Sequence, residues 1–125
     1  MELEPIALKL EQAGLGVRAK SIFVHAMPVE CKKGILLRSP LQGTLIDHEL
    51  PGYYKAEFSV ICRSHSHSEA VAMANQATQA LKGYNVTIGP IEAKHLLPNH
   101  LPVVFPVSEG NFVEALVKFD ICFCQ

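Results

Sequence analysis

The residues best suited to chemistry are two histidines in a connection between a predicted strand and a predicted helix. His65 and His67 flank Ser66, with Cys62 upstream and Glu69 downstream. Imidazole, thiolate and carboxylate groups are the usual ligands of zinc and related metals. A metal site needs converging ligands, and this segment has no second ligand cluster at a recognisable spacing. A metal site is therefore the weaker of two interpretations.

The alternative interpretation is that these residues only build a turn and begin a helix. Ser66 and Glu69 have the S-x-x-E spacing of a capping box, in which each side chain binds a backbone N–H that the first helical turn leaves free. The two histidines then face solvent. This explanation requires no metal, and we prefer it.

Other polar groups are weaker candidates for a catalytic site. Cys122 and Cys124 share one face of the last predicted strand and could line a site with Cys62, but a cysteine in a strand is more often a small buried apolar residue. A nucleophilic thiol needs a lowered pKa and an adjacent base, and the sequence shows neither. A solvated turn explains Asp47-His48-Glu49 as well as an acid–base site does. No GxSxG, P-loop or dinucleotide-binding motif occurs, so we predict no catalytic residue.

Length and charge narrow the remaining classes of protein. The 125 residues suit one domain, residues 1–125, that buries roughly two-thirds of its unfolded surface. The formal net charge of −1 gives no basic face for nucleic acid, and no apolar run approaches the ~20 residues that span a membrane. The four cysteines have no CxxC spacing and the N-terminal residues do not have the pattern of an export signal, so we expect the cysteines to be reduced in a cytoplasm.

The first half of the chain predicts one helix and three short strands. Pro5 suits the first helical turn, and Gly14 and Gly16 end that helix. Residues 21–25 read as a strand. Residues 34–38 and 44–47 read as two further strands, which the turn residues between them would join as a hairpin.

The second half contains the clearest periodicity. Residues 55–63 alternate as a strand with one face on a core, Ile61 being the exception, and a helix follows from Ser66, with Gly83 as its left-handed C-terminal residue. Residues 85–88 and 91–95 read as strand pieces, residues 96–111 as a loop, and residues 112–123 as a long central strand. The sum is a single α+β domain, a mostly antiparallel sheet with two helices packed on one face.

The whole pattern resembles the tail terminator, or tail completion, proteins of long-tailed bacteriophages. The resemblance rests on the short helix that ends in Ala13-Gly14-Leu15-Gly16 and the strand and Pro28 that follow it. It rests also on the strand that leads through Ser68-Glu69-Ala70 into an alanine-rich helix, and on Pro102-Val103-Val104-Phe105-Pro106 before the last strand. It covers nearly the whole chain.

The resemblance implies a structural protein with no cofactor. Such proteins form a ring, usually a hexamer, that caps the completed tail tube, ends its polymerisation and joins the tail to the head connector. The implied partners are further copies of the chain, the tail tube protein and the connector or neck protein. DNA passes the ring without tight binding, and no membrane is involved. The implied location is the head–tail junction of the virion, after assembly in the host cytoplasm. The alternative is a small metal- or ligand-binding domain or enzyme that uses His65, His67 and Cys62.

A ring of this kind needs adhesive surfaces, and we expect them in the loops. The first segment is residues 41–54 and the second is residues 96–111, because neither has another evident role. The expected interface residues are Leu41, Leu45, Tyr53, Tyr54, Leu97, Leu101, Val104 and Phe105. The alternative for each is that it covers its own core.

Overall fold

The computed structural model describes residues 2–28, 30–39, 44–46, 48–49, 51–106 and 112–124. The helices in these residues are α1 (Glu4–Gln12) and α2 (His67–Leu81). The strands are β1 (Ile22–Val24), β2 (Gly34–Arg38), β3 (Leu45–Ile46), β4 (Tyr53–Ser64), β5 (Gly83–Ile88), β6 (Ile91–Pro98), β7 (Val103–Pro106) and β8 (Val113–Cys124).

The strands form one mixed sheet in the order β1-β2-β4-β8-β6-β5. Two short strands lie outside this order. Strand β3 pairs with β4 near Tyr54, beyond the end of β2, and β7 pairs with β8 near Val113, beyond the end of β6. Only β1 and β2 are parallel among the paired strands described. The predicted fold class, an α+β domain built on a mostly antiparallel sheet, is confirmed.

The centre of the sheet is the pair β4–β8, as the long alternation of residues 112–123 predicted. Their register runs without a break from Tyr53↔Cys124 to Ser64↔Val113. Because side chains alternate along a strand, every second residue of both strands points to the same face. Phe58 and Phe119 stack there with ring centroids 5.3 Å apart, and both are fully buried.

Both helices pack on that face, which we call the inner face; the opposite one is the outer face. Helix α1 contributes Ile6, Ala7 and Leu10 to the core. Helix α2 buries the alanines 70, 74 and 77 together with Leu81. The small alanine side chains let the helix backbone lie close to the strands. The prediction of two helices on one face of the sheet is confirmed.

Three details of the predicted fold are wrong. Residues 34–38 and 44–47 do not form a hairpin, because β2 and β3 both pair with the same edge of the long strand β4. Gly83 does not end α2 in the left-handed conformation, since Lys82 is already extended and Gly83 begins β5. Residues 96–111 are not one loop: β6 runs to Pro98, β7 spans Val103–Pro106, and residues 107–111 lie outside the described residues.

Candidate assembly surface

The strand-to-helix connection is a hydrogen-bonded helix start. The Ser66 hydroxyl accepts a bond from the Glu69 backbone N–H at 3.4 Å, which is one arm of the predicted capping box. The other arm runs through Ser64, whose hydroxyl donates to the Glu69 carboxylate at 2.8 Å and accepts from the Ser66 N–H at 3.3 Å. Lys33 pairs with the same carboxylate at 3.3 Å. The Ser64 hydrogen bond first, and Lys33 second, lower the pKa of Glu69 below its ordinary range.

The histidines and Cys62 do not come together. His65 and His67 are exposed, and the His65 ring lies 4.6 Å from the Phe112 ring. Cys62 points into the inner-face core, where burial raises the pKa of its thiol to about 12. The described residues contain no group of three metal-ligating side chains. His65, His67 and Cys62 therefore do not have the converging arrangement that the metal-binding alternative requires.

The terminal cysteines do not extend Cys62 into a site either. Cys62 lies opposite Ala115, so its side chain shares the inner face with that residue. Cys122 lies opposite Lys55 and one residue from Ile121 of the core, so it points to the outer face, as does Cys124. The thiols are therefore separated by the thickness of the sheet. Of the other polar trio, His48 and Glu49 are exposed and Asp47 lies outside the described residues.

An open groove of about 560 Å³ lies between the end of α1 and the C-terminal half of α2. The described residues of its lining carry amide and apolar side chains but no charge: Ala13, Gly14, Leu15, Asn75, Gln76, Gln79 and Ala80. Nothing in this lining favours acid–base chemistry.

Arg63 makes several polar contacts at one end of the outer face. Its Nε donates to the Glu114 carboxylate at 3.1 Å, and its Nη1 donates to the carbonyl oxygens of Pro28 and Cys31, each at 3.2 Å. Its guanidinium carbon lies 5.8 Å from the centroid of the Phe112 ring. A single side chain thus connects β4 and β8 to the segment that follows β1.

Beside this ion pair, an apolar row crosses the outer face. The register places five apolar side chains next to one another on five strands: Phe23, Leu36, Ile61, Leu116 and Val103. Leu36 and Ile61 are buried at its centre, whereas Val103 at the edge is exposed. Ile61, the exception to the alternation of β4, is explained by this row.

Apart from Tyr84 of β5, which is 70% exposed, the exposed large apolar side chains on or next to the described strands lie in two places. Leu45 and Ile46 of β3 are 55% and 62% exposed, and they form the first corner. Leu101, Val103 and Phe105, at and before β7, are 84%, 52% and 37% exposed, and they form the second corner. Apolar patches on a soluble surface are typical of binding sites.

The expected interface residues divide between these corners and the protein's own core. Leu45, Leu101 and Phe105 are exposed at the corners, and Tyr53 and Leu97 are half-buried on the outer face. Tyr54 and Val104 contact the inner-face core, and Tyr54 lies 5.6 Å from the Phe123 ring. Leu41 lies outside the described residues.

Ile46 and Val103, which lie beside Leu45 and Phe105 at the corners, were not among the expected interface residues. Ile46 could have been found, because two adjacent apolar residues in a short predicted strand point to opposite faces, and one must leave the core.

These features define an α+β protein with exposed apolar side chains at the edges of its sheet. A family model described as bacteriophage tail terminator protein matches residues 9–121. The chain belongs to this family, and it is therefore a structural protein of phage tails.

The fold is shared with a protein of known structure. A chain in the virion of a native gene transfer agent particle matches with a TM-score of 0.72 at 15% sequence identity; the match covers 96% of this chain and 92% of that one. No curated protein matches the sequence.

Family membership points to a role that is structural and not enzymatic. Neither described helix is long and apolar enough to cross a membrane.

Proposed function

We propose that this protein caps the completed tail tube as an oligomeric ring, ends tube polymerisation and joins the tail to the head connector. The observation that carries the proposal is the family match over residues 9–121. The expected ring is a hexamer that assembles in the host cytoplasm and remains at the head–tail junction of the virion. Its partners are other copies of the chain, the tube protein and the connector or neck protein.

The physical basis of capping is steric. A subunit that offers two different adhesive surfaces to its neighbours builds a closed ring when the rotation between subunits closes, and a filament when it does not. A ring on the tube end then covers the surface to which the next tube subunit would bind. The exposed apolar corners support this proposal, because they lie at two different places on the sheet.

The charge of the chain suits a ring through which DNA passes. Tight binding of DNA grows with the number of phosphates that Lys and Arg neutralise. With 11 basic and 12 acidic residues, the chain has no excess of positive charge for such binding. We therefore expect DNA to pass without being held.

The experiment that tests this function is tube elongation with and without the purified protein. Tube protein polymerising from tail tips should form tubes of unlimited length alone, and should stop growing when this protein is added in stoichiometric amounts. Gold-labelled protein should appear only at the end of the tube distal to the tip. Unchanged elongation together with absence of the label from tube ends would contradict the proposal.

A matched control uses heat-denatured protein at the same concentration, which should leave elongation unchanged. A second step adds head connectors to the capped tubes. Connectors should bind capped tubes and not bare ones. Equal binding to both would remove the joining role and leave the capping role in place.

A further inference from the structure

We propose that the two apolar corners bind each other, so that β3 of one copy adds to the free edge of β7 in the next copy. The inference rests on the proposed function, because it supplies the contact between subunits of the ring. It commits to a second copy of this chain as the partner.

Both corners offer a strand edge that has no partner in the described chain. Among the described residues, β3 pairs with β4 alone and β7 with β8 alone. An open edge presents unpaired N–H and C=O groups, and proteins commonly protect such edges with charged side chains. Neither β3, which has 2 residues, nor β7 carries a charged residue, and the proline of β7, Pro106, is its last residue, so Val103, Val104 and Phe105 keep their backbone N–H groups. These edges are therefore suited to pairing with another chain.

The directions of the strands fit this pairing. Strand β3 is antiparallel to β4, β4 to β8, and β8 to β7. Consequently β3 and β7 run in opposite directions in the same sheet. A neighbouring copy in the same orientation then brings its β3 beside β7 as an antiparallel pair, and the sheet continues from copy to copy.

The alternation of side chains selects a register. Phe105 lies opposite Glu114 and Leu45 lies opposite Lys55, so both Phe105 and Leu45 point to the outer face. Val104 and Ile46 point to the inner side, like their partners Ala115 and Tyr54. Pairing Leu45 with Phe105 also pairs Ile46 with Val104, so apolar side chains meet on both faces. A slip by one residue would place each side chain against the wrong face.

The charges behind the two edges are compatible with this contact. The strand behind Phe105 presents Glu114, and the strand behind Leu45 presents Lys55. In the continued sheet these side chains have opposite signs and lie on the same outer face. Glu114 is already paired with Arg63, and in the continued sheet it would lie three strand spacings, about 14 Å, from Lys55 of the next copy, so these charges neither oppose nor strengthen the contact.

The positions of the corners make the contact heterologous. Strand β3 lies beside Tyr54 and Lys55, at the start of β4. Strand β7 lies at the level of Ser64, at the end of β4. The two corners are thus diagonally opposed on one sheet. A two-fold dimer would bury one corner and leave the other exposed, but a head-to-tail series buries both. Such a stepped series closes when its strands tilt relative to the ring axis, as in β-barrels.

The test uses two substitutions that place a charge on each corner next to an opposite charge of its own chain. Leu45→Glu stands beside Lys55, and Phe105→Lys stands beside Glu114, so each variant should fold. Alone, each exposes a charge to an apolar partner surface, and the dissociation constant for self-association should rise roughly tenfold to a hundredfold. Sedimentation velocity and native mass spectrometry measure it across concentration.

The double variant decides the register. Leu45→Glu with Phe105→Lys in one chain brings the two new charges face to face between copies, so association should return towards the wild-type value. A one-to-one mixture of the single variants should also associate more tightly than either alone. Tyr84→Glu is the matched control, since Tyr84 is an exposed apolar residue on the β5 edge and its substitution should leave association unchanged.

Three results would overturn the corner contact. They are single variants that associate like the wild type, a double variant no tighter than the singles, and a wild-type chain that stays monomeric at the highest attainable concentration. The proposed function is tested separately by tube elongation. A protein that caps tubes but fails these tests uses another surface for its ring.

Discussion

The two faces of the sheet are built from the same strands but differ in what covers them. The inner face is covered by α1 and α2 and is filled by aromatic rings, aliphatic side chains and the alanines of α2. The outer face carries the apolar row, the Arg63–Glu114 ion pair and polar side chains, and its apolar character increases at the two corners. The inner face accounts for stability, and the corners at the sheet edges are the surfaces that we propose for assembly.

The largest expected effect is on the inner face. Phe58→Ala removes a fully buried ring that stacks on Phe119, and the free energy of unfolding should fall by about 3–5 kcal/mol. Urea denaturation measures the change. Tyr84→Ala, which truncates a ring exposed to solvent, should stay within about 0.5 kcal/mol of the wild type. Equal losses in the two variants would contradict the difference between core and edge.

A second prediction concerns the ion pair of the outer face. Arg63→Met leaves Glu114 without its partner and frees two backbone carbonyls, so unfolding should become easier by about 2–3 kcal/mol, less than for a fully buried pair. The double variant Arg63→Met with Glu114→Gln should recover part of this loss. Additive losses in the double-mutant cycle would show that the two side chains do not interact.

Local pattern predicted the inner face well, because its signals lie within single elements. The alternation of β4 and β8, the cap at Ser66 and the alanine stripe of α2 are all visible in short windows. The sequence did not show which strands pair when they lie far apart along the chain. The edge of β4 accepts both β2 and β3, and nothing near residues 34–47 indicates that choice.

The contacts of Glu69 are a second example of structure that local spacing does not predict. The spacing of Ser66 and Glu69 predicts that they cap the helix together. It cannot show that Ser64 stands between them or that Lys33 arrives from another part of the chain. The apolar row on the outer face is a further case, since it exists only through the register of five strands.

A third prediction tests how tightly the helix lies on the inner face. Ala74→Leu inserts a larger side chain into a fully buried site between α2 and the sheet, and it should destabilise the protein by roughly 1–3 kcal/mol. Ala72→Leu lies on the exposed side of the same helix and should change the free energy of unfolding by less than about 0.5 kcal/mol. Thermal or urea denaturation of both variants distinguishes close packing from helix propensity, since both carry the same residue change.

The smallest expected effect lies at the end of the inner face, where Ser64 meets the first turn of α2. Because Ser64 and Lys33 stabilise the ionised Glu69 carboxylate, its folded-state pKa lies below its unfolded value. The contribution of Glu69 to stability is therefore complete above the ordinary glutamate pKa and is lost as the pH falls through the lowered folded pKa. NMR titration of the Glu69 carboxyl should show this lowered pKa. Ser64→Ala and Lys33→Gln should each raise it, since the Ser64 hydrogen bond is the largest single cause and Lys33 contributes both a hydrogen bond and its charge. An unchanged pKa in Ser64→Ala would mean that the turn is held by the Ser66 cap alone.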